Sequence, residues 1–116
     1  MIVDDELIAI ESRLRISFKT HGVDLAMAAD CAGAIEKMKG AQFDLIIIDI
    51  TLAGNDNGID LVKKIRETDK QTRIYVLTGY DEIYKDAAYA AGADWYINKP
   101  LDAKKHVYKP LGVADE

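Results

Sequence analysis

The run Leu45-Ile46-Ile47-Ile48-Asp49 constrains the fold more than any other stretch of the chain. Its four consecutive apolar residues, three of them β-branched, read as a strand buried on both faces, as in a parallel sheet. The run continues through Ile50-Thr51-Leu52 into a polar, glycine-containing loop that ends at Gly58-Ile59. A carboxylate closing an apolar strand is tolerated where it reaches solvent or a partner. In an open parallel sheet the carboxyl ends of the strands are also where ligands bind.

Around this run, strand and helix patterns alternate. Met1-Ile2-Val3 reads as a very short first strand, followed at once by Asp4-Asp5-Glu6. From Glu6 to about Thr20, Leu7, Ile10, Leu14 and Phe18 recur at helical spacing, with acidic residues at the start, where backbone N–H groups are free. Gly22 is a credible stop. Residues 23–28 read as a second strand, and Asp30 can cap a helix from Cys31 to Lys39 that buries Ala34, Ile35 and Met38 and is closed by Gly40. The central strand spans 44–49. Beyond Gly58, a helix from Ile59 to Glu67 carries Ile59, Leu61, Val62 and Ile65 on one side. A polar turn over 68–73 leads to the strand Ile74-Tyr75-Val76-Leu77-Thr78. An alanine-rich helix from Glu82 to Ala91 is expected to turn Ile83, Ala87 and Ala90 inward, with Gly92 ending it. Trp95-Tyr96-Ile97-Asn98 makes a last strand before Lys99-Pro100. Residues 102–110 should supply a final helix, yet their apolar stripe is thin, with Val107 and Leu111 its members. The alternation predicts an α/β, doubly wound, mostly parallel sheet of five βα units with right-handed crossovers, its first strand and last helix cut short.

Composition narrows the function. At 116 residues the chain is expected to be one domain, residues 1–116, with a real core. A net charge of -5 without a basic run argues against direct nucleic-acid binding. The single cysteine, Cys31, excludes an intrachain disulfide and a cysteine metal cluster. No apolar segment approaches membrane-spanning length and no signal peptide pattern is present, so a cytoplasmic protein is expected, with no membrane partner.

What closes each strand carries the chemistry. Ile2-Val3 runs into Asp4-Asp5, Ile46-Ile47-Ile48 into Asp49, Tyr75-Val76-Leu77 into Thr78, and Tyr96-Ile97-Asn98 into Lys99. A parallel sheet brings all four ends to one rim. Three carboxylates crowded there repel one another unless a cation compensates. An all-oxygen donor set of carboxylates, a backbone carbonyl and waters is what Mg²⁺ prefers; Asp4, Asp5 and Asp49 would be its acidic ligands and Thr51 the source of the carbonyl. A partly hydrated Mg²⁺ also binds phosphate. Lys99 and the Thr78 hydroxyl would meet the remaining phosphoryl oxygens, and Asp49 becomes the nucleophile that accepts the group.

This constellation resembles the receiver domain of bacterial two-component response regulators, over nearly the whole chain. The pieces that carry it are Ile2-Val3-Asp4-Asp5-Glu6; Leu45 to Asp49 with Asp56 and Gly58-Ile59; Val76-Leu77-Thr78-Gly79; and Gly92-Ala93-Asp94 with Tyr96 and Lys99-Pro100. They occur in order, with 44, 29 and 21 residues separating Asp5, Asp49, Thr78 and Lys99. The resemblance implies a flavodoxin-like (βα)5 fold with strand order 2-1-3-4-5 and a cis Lys99-Pro100 bond. It further implies Asp4 and Asp5 as the acidic pair for Mg²⁺, Asp49 as phospho-acceptor, Thr78 and Tyr96 as the switch pair, and Lys99 as the phosphoryl-binding lysine. Such a domain catalyses its own phosphotransfer and autodephosphorylation while serving mainly as a signalling switch. The implied partners are a sensor histidine kinase or phosphotransfer protein, and an effector protein or a C-terminal output domain outside this sequence. A homodimer through the last helix and the strand before it is also within the resemblance. Two departures stand out: Ala53 occupies the place of a usual proline, and the loop to Gly58 is one residue longer than common. Thr51 and Tyr80 occupy positions with which the family tunes autodephosphorylation, and a bulky Tyr80 is expected to hinder an attacking water.

Two other readings compete. A degenerate receiver used as a protein-binding module would normally have lost the acceptor, an acidic partner or the lysine, and all are present. A phosphohydrolase with an aspartyl nucleophile would usually carry a second aspartate two residues on, where Thr51 stands. The segment from Ala53 fails as a calcium loop because Ala53 and Lys64 occupy the positions that need carboxylates, and no P-loop pattern exists. His21 and His106 lack a partner set, Cys31 reads as an inert helix residue, and Trp95 as partly exposed packing.

Overall fold

The structure is a computed structural model and describes residues 1–79 and 82–113. Five parallel strands form one sheet in the order β2-β1-β3-β4-β5: β1 (Ile2–Val3), β2 (Met27–Ala28), β3 (Leu45–Asp49), β4 (Arg73–Thr78) and β5 (Trp95–Asn98). β3 sits at the centre and is buried along its whole length. The period-2 pleat sorts its side chains between two cores. Ile46 and Ile48 join Val3, Ile74, Val76 and Tyr96 on one face, under α2 (Cys31–Gly40), α3 (Gly58–Arg66) and α4 (Lys85–Ala91). Leu45 and Ile47 join Ile2, Tyr75, Leu77 and Ile97 on the other. That face is covered by α1 (Glu11–Lys19) and by a π-helical turn, Lys104–Tyr108, that runs into the short α5 (Lys109–Leu111).

The expected topology is therefore present, with four local differences. The second strand is two residues rather than six, because β1 offers only Ile2 and Val3 to pair with Met27 and Ala28. The first helix breaks into a 3-10 turn, Leu7–Ile10, and then α1, with Ile10 outside helical geometry at φ -116°, ψ 26°. The inward face of α4 is Ala88 and Ala91, not Ala87 and Ala90, and Ile83 lies in the turn before the helix with 78% of its surface exposed. Alanines stand on both sides of this helix, so periodicity alone could not choose between the faces. Finally, the last helix buries more than its sequence pattern suggests. The wider π turn directs His106, Val107 and Tyr108 inward in succession.

Aromatic contacts then close that face. Tyr108 stacks on His21, with centroids 4.2 Å apart, and meets Phe18 edge-on. Trp95, half-buried, packs edge-on against both Tyr75 and His106. The Asp102 N–H donates to His106 Nδ1 at 2.9 Å, which places the ring proton on Nε2. Burial holds the His106 pKa below its ordinary value, with Asp102 opposing and Lys105 adding to that effect.

Two glycines are fixed by their surroundings. A Cβ on Gly58 would lie 2.0 Å from the Asp49 carbonyl oxygen and 2.9 Å from Ile48 Cγ2. Gly58 also donates to the Ile50 carbonyl at 2.6 Å, so α3 begins directly on the backbone of β3. Gly92 ends α4 at φ 117°, and its missing side chain makes room for the Arg66 stem. The Arg66 guanidinium there donates to the Gly92 carbonyl and to Asp94.

Gly58→Ala should lower unfolding stability by about 3 kcal/mol, since backbone rather than a flexible side chain must move; denaturant titration measures it. The lowered His106 pKa means that the unfolded chain takes up this proton first. The native state should therefore lose stability as pH falls below about 6.5. His106→Leu should remove that contribution, so its stability relative to the parent rises between pH 7 and pH 5 in paired thermal melts.

Candidate functional site

The carboxyl ends of β1, β3, β4 and β5 share one rim because each pair is in register. Val3 pairs with Ile48, Asp49 with Leu77, and Thr78 with Asn98. Asp4 therefore follows β1 at the level where Asp49 ends β3. Both carboxylates are buried, at 1% and 3% exposure, and Asp5 is half-buried beside them. One oxygen from each of Asp4, Asp5 and Asp49 falls within 4.8 Å of the others.

Each acid is held by its local backbone. Asp4 Oδ1 accepts from the N–H groups of Glu6 and Leu7, at 2.8 and 3.0 Å, which fixes the turn that carries Asp5. Asp49 Oδ1 accepts from the Thr51 N–H at 3.3 Å, and Asp49 Oδ2 accepts from Lys99 Nζ at 2.7 Å. Lys99 follows β5. Its N–H donates to the Thr78 carbonyl at 2.8 Å, and the Lys99-Pro100 bond is cis. Burial, reinforced by the Asp4 charge, pushes the Asp49 pKa above the usual carboxylate value, although the Lys99 hydrogen bond opposes this. Burial acts to lower the Lys99 pKa, but Asp49, Asp4 and Glu6 together carry it above its ordinary value.

Thr51 is exposed at the start of the following loop. It faces Asn57 across an antiparallel bridge whose hydrogen bonds come from its neighbours, Gly58 N–H to the Ile50 carbonyl and Leu52 N–H to the Asp56 carbonyl. Thr51 thus occupies the non-hydrogen-bonded position, and its own N–H and C=O turn away from Asn57. The N–H finds the Asp49 carboxylate. Thr78 is fully buried at the end of β4, and Tyr96 is buried in the core formed with Val76, Ala88 and Ala91. Tyr80 lies outside the described residues.

The structure thus brings Asp4, Asp5, Asp49, Thr51 and Lys99 together and sets Thr78 one row beyond Asp49 on the neighbouring strand. Two contributors were not foreseen. Glu6 reaches to 3.7 Å from Lys99 Nζ, a distance that no sequence pattern encodes. Asp56 stays in the loop after β3 through its backbone, but its side chain reaches out of it, and Oδ2 accepts from the Cys31 N–H at 2.9 Å. The same carboxylate, after burial, helps push the Cys31 thiol up to about 11, in keeping with the inert role expected of it.

The donor set suits a hard divalent cation. All candidate ligands are oxygen, two of the three carboxylates are desolvated, and one oxygen of each lies within 4.8 Å of the others. Asp4, Asp5, Asp49 and the Thr51 carbonyl are the residues that could hold such an ion.

Known proteins share this fold. The response regulator receiver domain family matches residues 1–109. The TorCAD operon transcriptional regulatory protein TorR of Escherichia coli K12 is 33% identical over 109 residues, which are 94% of this chain and 46% of that protein. The chain therefore spans a little under half the length of that relative. A CheY-like receiver domain protein from Methanospirillum hungatei superposes with a TM-score of 0.81 at 27% identity, over 96% of this chain and 88% of that one. The response regulator TrrA from Thermotoga maritima, solved with Mg²⁺ and BeF, gives a TM-score of 0.76 at 28% identity, over 96% and 94%. On this fold, this rim and these relatives, the chain belongs to the response regulator receiver domains, the phosphorylation-dependent switches of two-component signalling.

Proposed function

We propose that Asp49 is the phospho-acceptor of this receiver domain. The observation that carries the reading is a buried carboxylate at the strand rim, 2.7 Å from Lys99 Nζ and clustered with two further acids. An Asp49 oxygen attacks the phosphorus of a phosphohistidine on a sensor kinase or phosphotransfer protein. The phosphorus–nitrogen bond breaks, its electrons leave with the imidazole, and an acyl phosphate remains on Asp49. Mg²⁺, when bound by Asp4, Asp5, Asp49 and the Thr51 carbonyl, would neutralise phosphoryl oxygens.

The chain's own residues do the rest. Lys99 exchanges its bond to Asp49 Oδ2 for one to the incoming phosphoryl group, so the ammonium never loses an anionic partner. Thr78, one row along, offers its hydroxyl to the same group. Its movement frees space at the rim of the core in which Tyr96 is buried, and so alters the surface of β5, α4 and α5. Output then passes to an effector protein or an attached domain, in keeping with a chain that covers 46% of TorR. A homodimer through the same surface is a further output of this reading. We place the protein in the cytoplasm with the kinase; among the described residues no helix is long and apolar enough to cross a membrane.

Incubation with acetyl phosphate or beryllofluoride and Mg²⁺ tests the assignment. Mass spectrometry should find one adduct per chain, lost in Asp49→Asn and on removal of Mg²⁺ by EDTA. Steady turnover of many phosphate esters would favour a phosphohydrolase instead, and no adduct a binding module. Lys99→Met should lower stability by about 1–3 kcal/mol at pH 7, because the buried acids lose their compensating charge. The raised Asp49 pKa means that protonation relieves this burden. The deficit should shrink as pH falls towards that pKa and reopen as pH rises, read as the difference between paired denaturant titrations.

A further inference from the structure

The loop from Ile50 to Gly58 carries a tether that the acceptor chemistry does not itself require. Two backbone hydrogen bonds form its stem, Gly58 N–H to the Ile50 carbonyl at 2.6 Å and Leu52 N–H to the Asp56 carbonyl at 3.1 Å. Thr51 lies between these rungs, so its carbonyl direction is set by them. The tip of the loop is held from outside. Ala53 N–H donates to the Ala29 carbonyl at 3.1 Å, and Asp56 Oδ2 accepts from Cys31 N–H, the first residue of α2, at 2.9 Å. Asn57 caps α3 through Ile59 N–H at 2.7 Å, which leaves the Asp56 carboxylate free for α2. Asp30 already satisfies Gly33 N–H on that helix, so Asp56 and Asp30 serve different donors.

We infer that Asp56 is a positioning residue for the metal site, holding the Thr51 carbonyl towards Asp49 by tying the acceptor loop to the first turn of α2. The inference rests on the proposed Mg²⁺ site. Without the tether, the second rung of the stem is anchored at one end only, and Thr51 gains freedom that ion binding must then remove. The contribution acts on metal affinity and not on the nucleophile, because Asp49 keeps its place at the end of β3 and its bond to Lys99.

Mg²⁺ titration of the whole chain by calorimetry tests this, with beryllofluoride adduct formation followed by fluorine NMR. Asp56→Ala should weaken Mg²⁺ binding about tenfold, the low end of outer-shell effects on metal affinity. At saturating Mg²⁺ its adduct should form to the parental extent. Asp56→Asn keeps an oxygen that accepts from Cys31 N–H and should bind Mg²⁺ close to the parent. Asp30→Ala removes the cap on Gly33 N–H but keeps the Asp56–Cys31 bond, and should leave Mg²⁺ affinity unchanged. Parental affinity in Asp56→Ala would overturn the inference. So would equal weakening in Asp56→Asn, which would make the effect one of charge, or in Asp30→Ala, which would make it one of helix integrity. A parent that binds no Mg²⁺ would overturn the metal-site reading itself, a result that these variant comparisons keep distinct.

Discussion

Two desolvated carboxylates, Asp4 and Asp49, face each other at the end of a parallel sheet with one ammonium, Lys99, in contact with Asp49. Everything else in the domain exists around that imbalance. A buried negative charge is costly, and a second beside it more so. The sheet nevertheless holds both at the rim, because their backbones belong to adjacent strands whose apolar residues pack on both faces. The core thus supplies the free energy that holds two acids together at the rim, an arrangement that favours a cation beside them.

Precision at the rim comes from backbone rather than from side chains. Asp4 is pinned by two N–H groups of its own turn and Asp49 by one. Lys99 begins at an N–H bonded to the carbonyl of Thr78. Gly58 lets α3 start against the Asp49 carbonyl, at a separation that no side chain permits. Asp49 is therefore gripped from the loop that follows it, from the lysine just beyond β5 and from the start of α3.

Much of this was legible beforehand, for identifiable reasons. A parallel sheet buried on both faces writes itself as continuous apolar runs, as Leu45 to Ile48 show. Strand ends are marked by the first polar residues after each run, so Asp4, Asp49, Thr78 and, next to Asn98, Lys99 could be located together. Patterns failed where residues are alike or where a contact crosses the chain. Four alanines in α4 gave no basis for choosing its inward face. The burial of His106 and Tyr108 depends on a π turn, which has no simple periodic signature. Residues 23–25 alternate as a strand does, yet lie outside the two-residue ladder between β1 and β2. Asp56 was visible only as a piece of the family pattern, since nothing in a linear sequence says that it will reach a helix begun 25 residues earlier.

The alanine face of α4 has a consequence of its own. Ala88 and Ala91 are the only residues of this seven-residue helix that are fully inward, and each buries little more than a methyl group, worth about 0.8 kcal/mol. Detaching such a helix forfeits far less than detaching α3, which buries Ile59, Leu61, Val62 and Ile65. Amide hydrogen exchange would consequently register α4 among the first elements to open, and α3 among the last. A helix seated on two small side chains can shift over the sheet at little energetic cost, while four large apolar residues hold α3 in place.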